Sequence, residues 1–391
     1  MTDHPAPAAN RKADDRFVFA LAALVGAIGW LGVAWIGLQL LSLDPPRAGD
    51  DLRLLLNAAG RAAAGQPLYL AVPPGTTLQA SSLFYSYPPL VAQALVPLAA
   101  LPFGVALGGW AVGAVAGLAA LAHRLGRMSR SVTLPAVALA AFVYPFAIAL
   151  LFGNLNVWFP LLFGLVLLAV LSPGRGSAVA GGAALAVASV AKLHPATLGA
   201  WLLARRLRDG PAGPTGRILA VAIVGGLGLL AASLLLGGIG PWADYLTFLQ
   251  GGAAQADIVS PLNIGPTSQI ALALGLGDAT ARTIQVPVTL AALVTTVAAG
   301  RFLEDPVMSF GVAAIASLVA LPVTWFHYPV ALIPVAIAAA TRADQAARRA
   351  TAVALVAAVI AAGMTIAAPV AVWIAVVFVL LAIHTSRPRP T

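Results

Sequence analysis

Asp50 and Asp51 stand side by side directly behind the first long apolar run of a chain in which only 9% of residues are charged. A carboxylate held within reach of a hydroxyl proton is a general base. One aspartate also suffices to cap the helix that follows, with Asp50 read as the cap and Asp51 as the base, although Asp50 stands as the alternative. Lys192 is the only lysine after Lys12 and closes an apolar segment. A charge there is costly, and its simplest use is as counter-ion for an anion; the competing reading is a lysine snorkelling to the headgroups. His194, two residues on, can share the anion or face the headgroups.

Other polar groups recur in short tips between apolar segments. FYSYPPL (84–90) carries Tyr85 and Tyr87, GNLNVW (153–158) carries Asn154 and Asn156, and SPLNIGPTSQ (260–269) carries Asn263, Thr267, Ser268 and Gln269. VTWFHY (323–328) adds Trp325, His327 and Tyr328, a set suited to stacking on a sugar or meeting a phosphate. Each set alone also reads as helix caps or interfacial aromatics; together with an acid and a lone lysine they read as a binding site.

The chemistry that is excluded is as informative. The chain has no cysteine, so disulfides, thiolate metal sites and a cysteine nucleophile are ruled out. The five histidines, His4, His123, His194, His327 and His384, show no paired ligand spacing, so no metal site is expected. No phosphate-binding or dinucleotide-binding glycine motif occurs, and no cofactor is expected.

The elements that must position these residues are membrane helices. Of 391 residues 60% are hydrophobic, and the mean hydropathy of +0.94 lies far outside the soluble range. With about 20 apolar residues per crossing, the pattern predicts an all-α polytopic membrane protein. Twelve spans fall near 17–41, 104–122, 132–151, 157–171, 178–191, 195–204, 217–237, 283–300, 306–323, 328–341, 350–366 and 369–384. The first reads as a retained span rather than a signal peptide. Residues 88–102 are short and proline-rich and read as a helix dipping into one leaflet. The net charge of +9 follows from this threading rather than from nucleic-acid binding: every Lys and Arg falls on the N-terminal, cytoplasmic side except Arg47, Arg53, Arg61, Lys192 and Arg282.

One transmembrane domain, 17–384, therefore lies between cytoplasmic tails 1–16 and 385–391. The outer face carries loops 42–87 and 238–268, with Lys192 to Pro195 as the tip of a hairpin. Leu52, Leu55, Leu56, Ala59 and Ala63 recur at helical spacing behind Asp51, predicting an amphipathic helix on the membrane surface. Every candidate tip lies on the outer side. A transporter or flippase would place polar residues at mid-bilayer and show related halves, and neither pattern is convincing here.

In order along the chain, Asp51 with its LxxL helix ending in GQPLY (65–69), then FYSYPPL, GNLN, KLHP, NIGPTS and PVTWFHY, resemble glycosyltransferase family 87 over about residues 17 to 345. That family includes the polyprenyl-phosphate-mannose-dependent mannosyltransferase of phosphatidylinositol mannoside synthesis. The resemblance implies a GT-C fold, an active site at the outer face of the cell membrane, and inverting transfer of a hexose, mannose foremost, from a polyprenyl-phosphate donor to a lipid-linked or cell-envelope acceptor. By motif position Asp51 corresponds to the family's catalytic acid and His327 to the histidine of its WxH motif. Leu55 and Leu56 stand where a tyrosine commonly follows the acid. A polyprenyl-phosphate pentose donor, such as an arabinofuranosyl one, is the rival within the same chemistry.

Overall fold

The computed structural model describes residues 8–70, 84–126, 130–210, 213–252 and 258–342. Among them the chain is helical, and its one β-type feature is an isolated antiparallel bridge between Asn263 and Trp325. The expected spans 350–366 and 369–384 lie outside the described residues. Among the described residues four helices are long and apolar enough to cross a membrane: the Ala23–Leu41 part of α1 (Ala8–Leu41), α4 (Phe103–Leu125), α10 (Thr215–Gly237) and α13 (Asp278–Phe302).

The expected span 132–151 is a broken helix, which makes a fifth crossing if its halves count together. Its halves α5 (Arg130–Ala140) and α6 (Tyr144–Leu151) meet at 64°. The spans expected at 157–171, 178–191, 195–204, 306–323 and 328–341 appear as the shorter helices α7 (Phe159–Leu171), α8 (Arg175–Ala191), α9 (Thr197–Asp209), α14 (Pro306–Val319) and α15 (Ile333–Arg342).

Proline sets these breaks. Pro89, Pro145, Pro160, Pro195 and Pro329 each sit in the first turn of a new helical segment, where the missing N–H is harmless and the fixed φ favours helix. One residue earlier the same ring disfavours helix, so the preceding segment ends. The irregular backbone between the segments therefore collects at 140–144, 152–159, 192–197 and 320–333. At membrane depth such backbone persists where protein buries it or a cavity hydrates it.

Two further elements frame that region. Helix α2 (Asp50–Ala63) buries Leu52, Leu55, Ala58 and Ala59, and Leu55 and Ala58 cluster with Tyr85, Val91 and Ala92 around α3 (Pro89–Ala99). The apolar face of α2 thus rests on protein rather than on lipid, which corrects the surface-helix expectation. Helix α3 has 11 residues, about 16 Å at 1.5 Å per residue, too short to span. After Lys192 the chain doubles back: Gly182 of α8 abuts Ile218 and Val221 of α10, while Arg206 of α9 abuts the neighbouring Gly216. The main core holds Phe146, Phe159, Phe163, Trp201 and Phe310. Within it the Trp201 indole donates to Ser309 Oγ at 2.8 Å and Ser309 donates to the Ala299 carbonyl at 2.7 Å, so no polar atom of this pair is stranded.

Candidate functional site

The breaks surround a cavity of about 470 Å³. Asp51 enters it from the start of α2, Asn154 from the turn after α6, Lys192 and His194 from the reversal after α8, and Trp325, His327 and Tyr328 from the strap between α14 and α15. Tyr87 joins from the segment before α3.

Neither aspartate caps α2, contrary to expectation. Its N-cap is Gly49, left-handed at φ 73°. The amides of Asp51 and Leu52 both donate to the Phe152 carbonyl, at 3.0 and 3.2 Å, and that of Gly49 to Leu151 at 2.9 Å. The helix start is therefore stitched to the end of α6 through backbone, which frees both carboxylates. Asp50 turns away to an ion pair with Arg47 at 2.7 Å and does not line the cavity. Asp51 accepts a hydrogen bond from Asn154 Nδ2 at 2.7 Å. Burial raises the Asp51 carboxyl above the ordinary carboxylate range, while Asn154 and Lys192 pull it partly back. A raised pKa makes it the stronger base.

Lys192 is 9% exposed, and among the described residues its ammonium has no hydrogen-bond or ion-pair partner. It lies 3.8 Å from the Tyr328 ring centroid and 5.4 Å from that of Tyr87, held by ring faces rather than by an acceptor. Burial pulls it down to about 7, with Asp51 opposing. An amine so placed is poised to take a proton and a charge partner when an anion enters.

His194 stacks between Phe159 and Tyr328, with centroids 5.8 and 6.2 Å away, and its Nδ1 is 3.5 Å from Ser317 Oγ. His327 stacks on Trp325 at 6.4 Å and meets the edge of Tyr328 at 5.1 Å. Burial, helped by Lys192, holds both imidazoles well below their usual pKa. Each is neutral at pH 7 and so can offer a bound anion a hydrogen bond but no positive charge. Among the described residues no three His, Asp, Glu or Cys side chains gather as a metal-binding group.

The remaining candidates stand behind the cavity. Tyr85 is buried, its hydroxyl donating to the Pro88 carbonyl and accepting from the Ala92 amide. Asn156 is buried in the 3-10 turn Leu155–Trp158, its amide N–H on Asn154 Oδ1. Asn263 donates to the carbonyls of Ile258 and Pro322 and accepts from the amides of Gly265 and Thr324, all at 2.8–2.9 Å. That saturates its side-chain amide and ties the 258–265 segment to the strap. Ser268 exchanges hydrogen bonds with Ser260 at 3.1 and 3.2 Å in the same segment.

Sequence reasoning missed Ser86, Phe326, and Tyr245 and Leu249 from α11 (Gly240–Thr247) and the π turn after it, all of which line the cavity. The signal for α11 was present: Trp242, Tyr245 and Phe248 recur every third residue. Tyr245 and Phe248 pack on Tyr69 with centroids 5.6 and 5.5 Å away.

Broken apolar helices thus converge on a cavity with one carboxylate, one buried amine and several aromatic rings, residue types from which a substrate site can be built. Residues 85–324 match the sequence model of glycosyltransferase family 87. The match covers more than half of the chain, and the protein belongs to that family: it is a membrane glycosyltransferase acting on a sugar donor and an acceptor. No curated protein and no solved structure matches it. The matched segment contains Asn154, Lys192 and His194 but neither Asp51 nor His327. The fold brings those two to the same cavity.

Proposed function

We propose that the protein transfers a hexose, mannose, from a polyprenyl-phosphate donor to a hydroxyl of a lipid-linked or cell-envelope acceptor, with inversion. The observation that carries this reading is one cavity holding, from separate elements, the Asp51 carboxylate and a Lys192 amine with no acceptor among the described residues. In this reading the acceptor oxygen bonds to the anomeric carbon while its proton passes to Asp51. The bond from that carbon to the phosphate oxygen breaks, and its electron pair leaves with the lipid phosphate. Lys192, as ammonium, meets the charge that develops there. His327 donates a neutral N–H to the same group, with His194 behind it. Trp325, Tyr328 and Tyr87 offer ring faces to the sugars. Asn156, Asn263, Ser268 and Tyr85 support the walls rather than touch substrate.

The finer threading belongs to the same proposal: a GT-C fold with twelve crossings, both termini cytoplasmic, and the cavity on the extracytoplasmic face of the cell membrane. The basic residues support it, since Arg124, Arg175, Arg206, Arg208, Arg217 and Arg301 belong to helix ends remote in sequence from every cavity-lining tip.

The test is to incubate membranes containing the full chain with radiolabelled polyprenyl-phosphate mannose and, separately, polyprenyl-phosphate arabinose. Label moving from mannose donor into a new lipid or glycan product, absent from membranes lacking the protein, is the expected result. Transfer from the arabinose donor alone replaces the hexose with a pentose, and movement of intact donor across the membrane without transfer overturns the reading.

A further inference from the structure

One amide in the cavity wall, which the Tyr87 hydroxyl also meets, hydrogen-bonds in opposite senses to Asn156 and Asp51. Asn154 Oδ1 accepts the Asn156 N–H at 2.8 Å and so caps the turn that follows. That leaves Nδ2 to face Asp51, donating to Oδ2 at 2.7 Å. Backbone fixes both partners: the Asn154 amide donates to the Ala149 carbonyl at 2.7 Å, and the Asp51 amide to that of Phe152. Asn154 is itself buried, at 4% exposure. Among the described residues Asp51 Oδ1 has no protein donor, so the two carboxylate oxygens are unequal.

We infer that Asn154, rather than binding substrate, is the positioning residue of the transfer: it locks the Asp51 carboxylate and reserves Oδ1 for the acceptor hydroxyl. The inference rests on Asp51 being the base. Lys192, Asp50, Tyr87 and Tyr328 also act electrostatically on that carboxylate, but among the described residues Asn154 alone touches it by a hydrogen bond. A donor to the ionised form favours ionisation, so losing it moves the acid limb of the rate profile to higher pH.

The two bonds can be separated. Asn154→Ser keeps a capping acceptor for the Asn156 N–H and is too short to replace the donor to Asp51; Asn154→Ala removes both. Transfer is measured in membranes with labelled polyprenyl-phosphate mannose, and thermal midpoints on the purified full chain. The expected result is a roughly 100-fold lower kcat in both variants, as for a misplaced reacting group. Donor KM should stay within about twofold, and the acid limb should rise by about one pH unit or more. Asn154→Ser should melt near the wild type while Asn154→Ala melts lower.

An Asn154→Ser variant with wild-type kcat and acid limb overturns the inference. So does one that melts with Asn154→Ala and loses donor affinity equally, since the amide is then only a cap. Asp51→Asn run alongside separates the two failures. If it is active, the base assignment falls and the inference with it; if it is inactive while Asn154→Ser is wild-type, only the inference falls.

Discussion

At the scale of single residues, Lys192 and Asp51 divide the work by the ways burial perturbs them. On the proposed mechanism the reaction needs Asp51 ionised and Lys192 protonated. The kcat/KM profile therefore rises through the raised Asp51 pKa, above the usual carboxylate range, and falls as Lys192 deprotonates near 7. Lys192→Arg keeps a charge that does not titrate; its descending limb should move upward, and an unchanged limb would assign the fall to another group. Lys192→Ala should lose about 100-fold in kcat/KM for donor, the scale of a lost transition-state partner. These two residues were legible because charges are so scarce in the chain that each one asks for a reason. The neutrality of His194 and His327 was not, because it depends on which rings cover them. Nor was the pairing of Asp50 with Arg47, since either aspartate satisfies a capping pattern.

At the scale of elements, the site is built from interruptions. Hydropathy finds apolar stretches but smooths over a break, so 132–151 reads as one span although Pro145 and the residues before it bend the chain by 64°. The prolines were visible in sequence; that their breaks cluster around one cavity requires the packing. Two positions test this construction. Gly153 sits at φ 64°, and a Cβ there would fall 2.6 Å from the Leu52 Cβ. Gly153→Ala should therefore cost about 1–2 kcal/mol of stability from handedness alone, and transfer should drop as Leu52 pushes the start of α2 away from Asn154. Asn263→Ala strands the amides of Gly265 and Thr324 and the carbonyls of Ile258 and Pro322. A loss of about 1–3 kcal/mol, read as a lower thermal midpoint, should accompany weaker transfer because Trp325 to Tyr328 follow directly on that strap.

At the scale of the whole molecule, the threading by charge grouped the tips of Asp51, Asn154, Lys192 and Trp325 on one side, and these tips meet at one cavity. The helix count was less legible, because shortened and broken helices replace uniform 20-residue spans. Sidedness has a direct check, as the chain has no cysteine to give background. A single Cys replacing exposed Gln66 should react with an impermeant maleimide in intact cells, and one replacing exposed Gly174 only after permeabilisation; the reverse pattern inverts the topology. The claim on which all of this depends is that Asp51 removes the acceptor proton. Transfer from labelled polyprenyl-phosphate mannose should fall about 1,000-fold or more in Asp51→Asn and persist in Asp50→Asn, with both proteins inserted equally. Full transfer by Asp51→Asn together with its loss in Asp50→Asn would contradict the account.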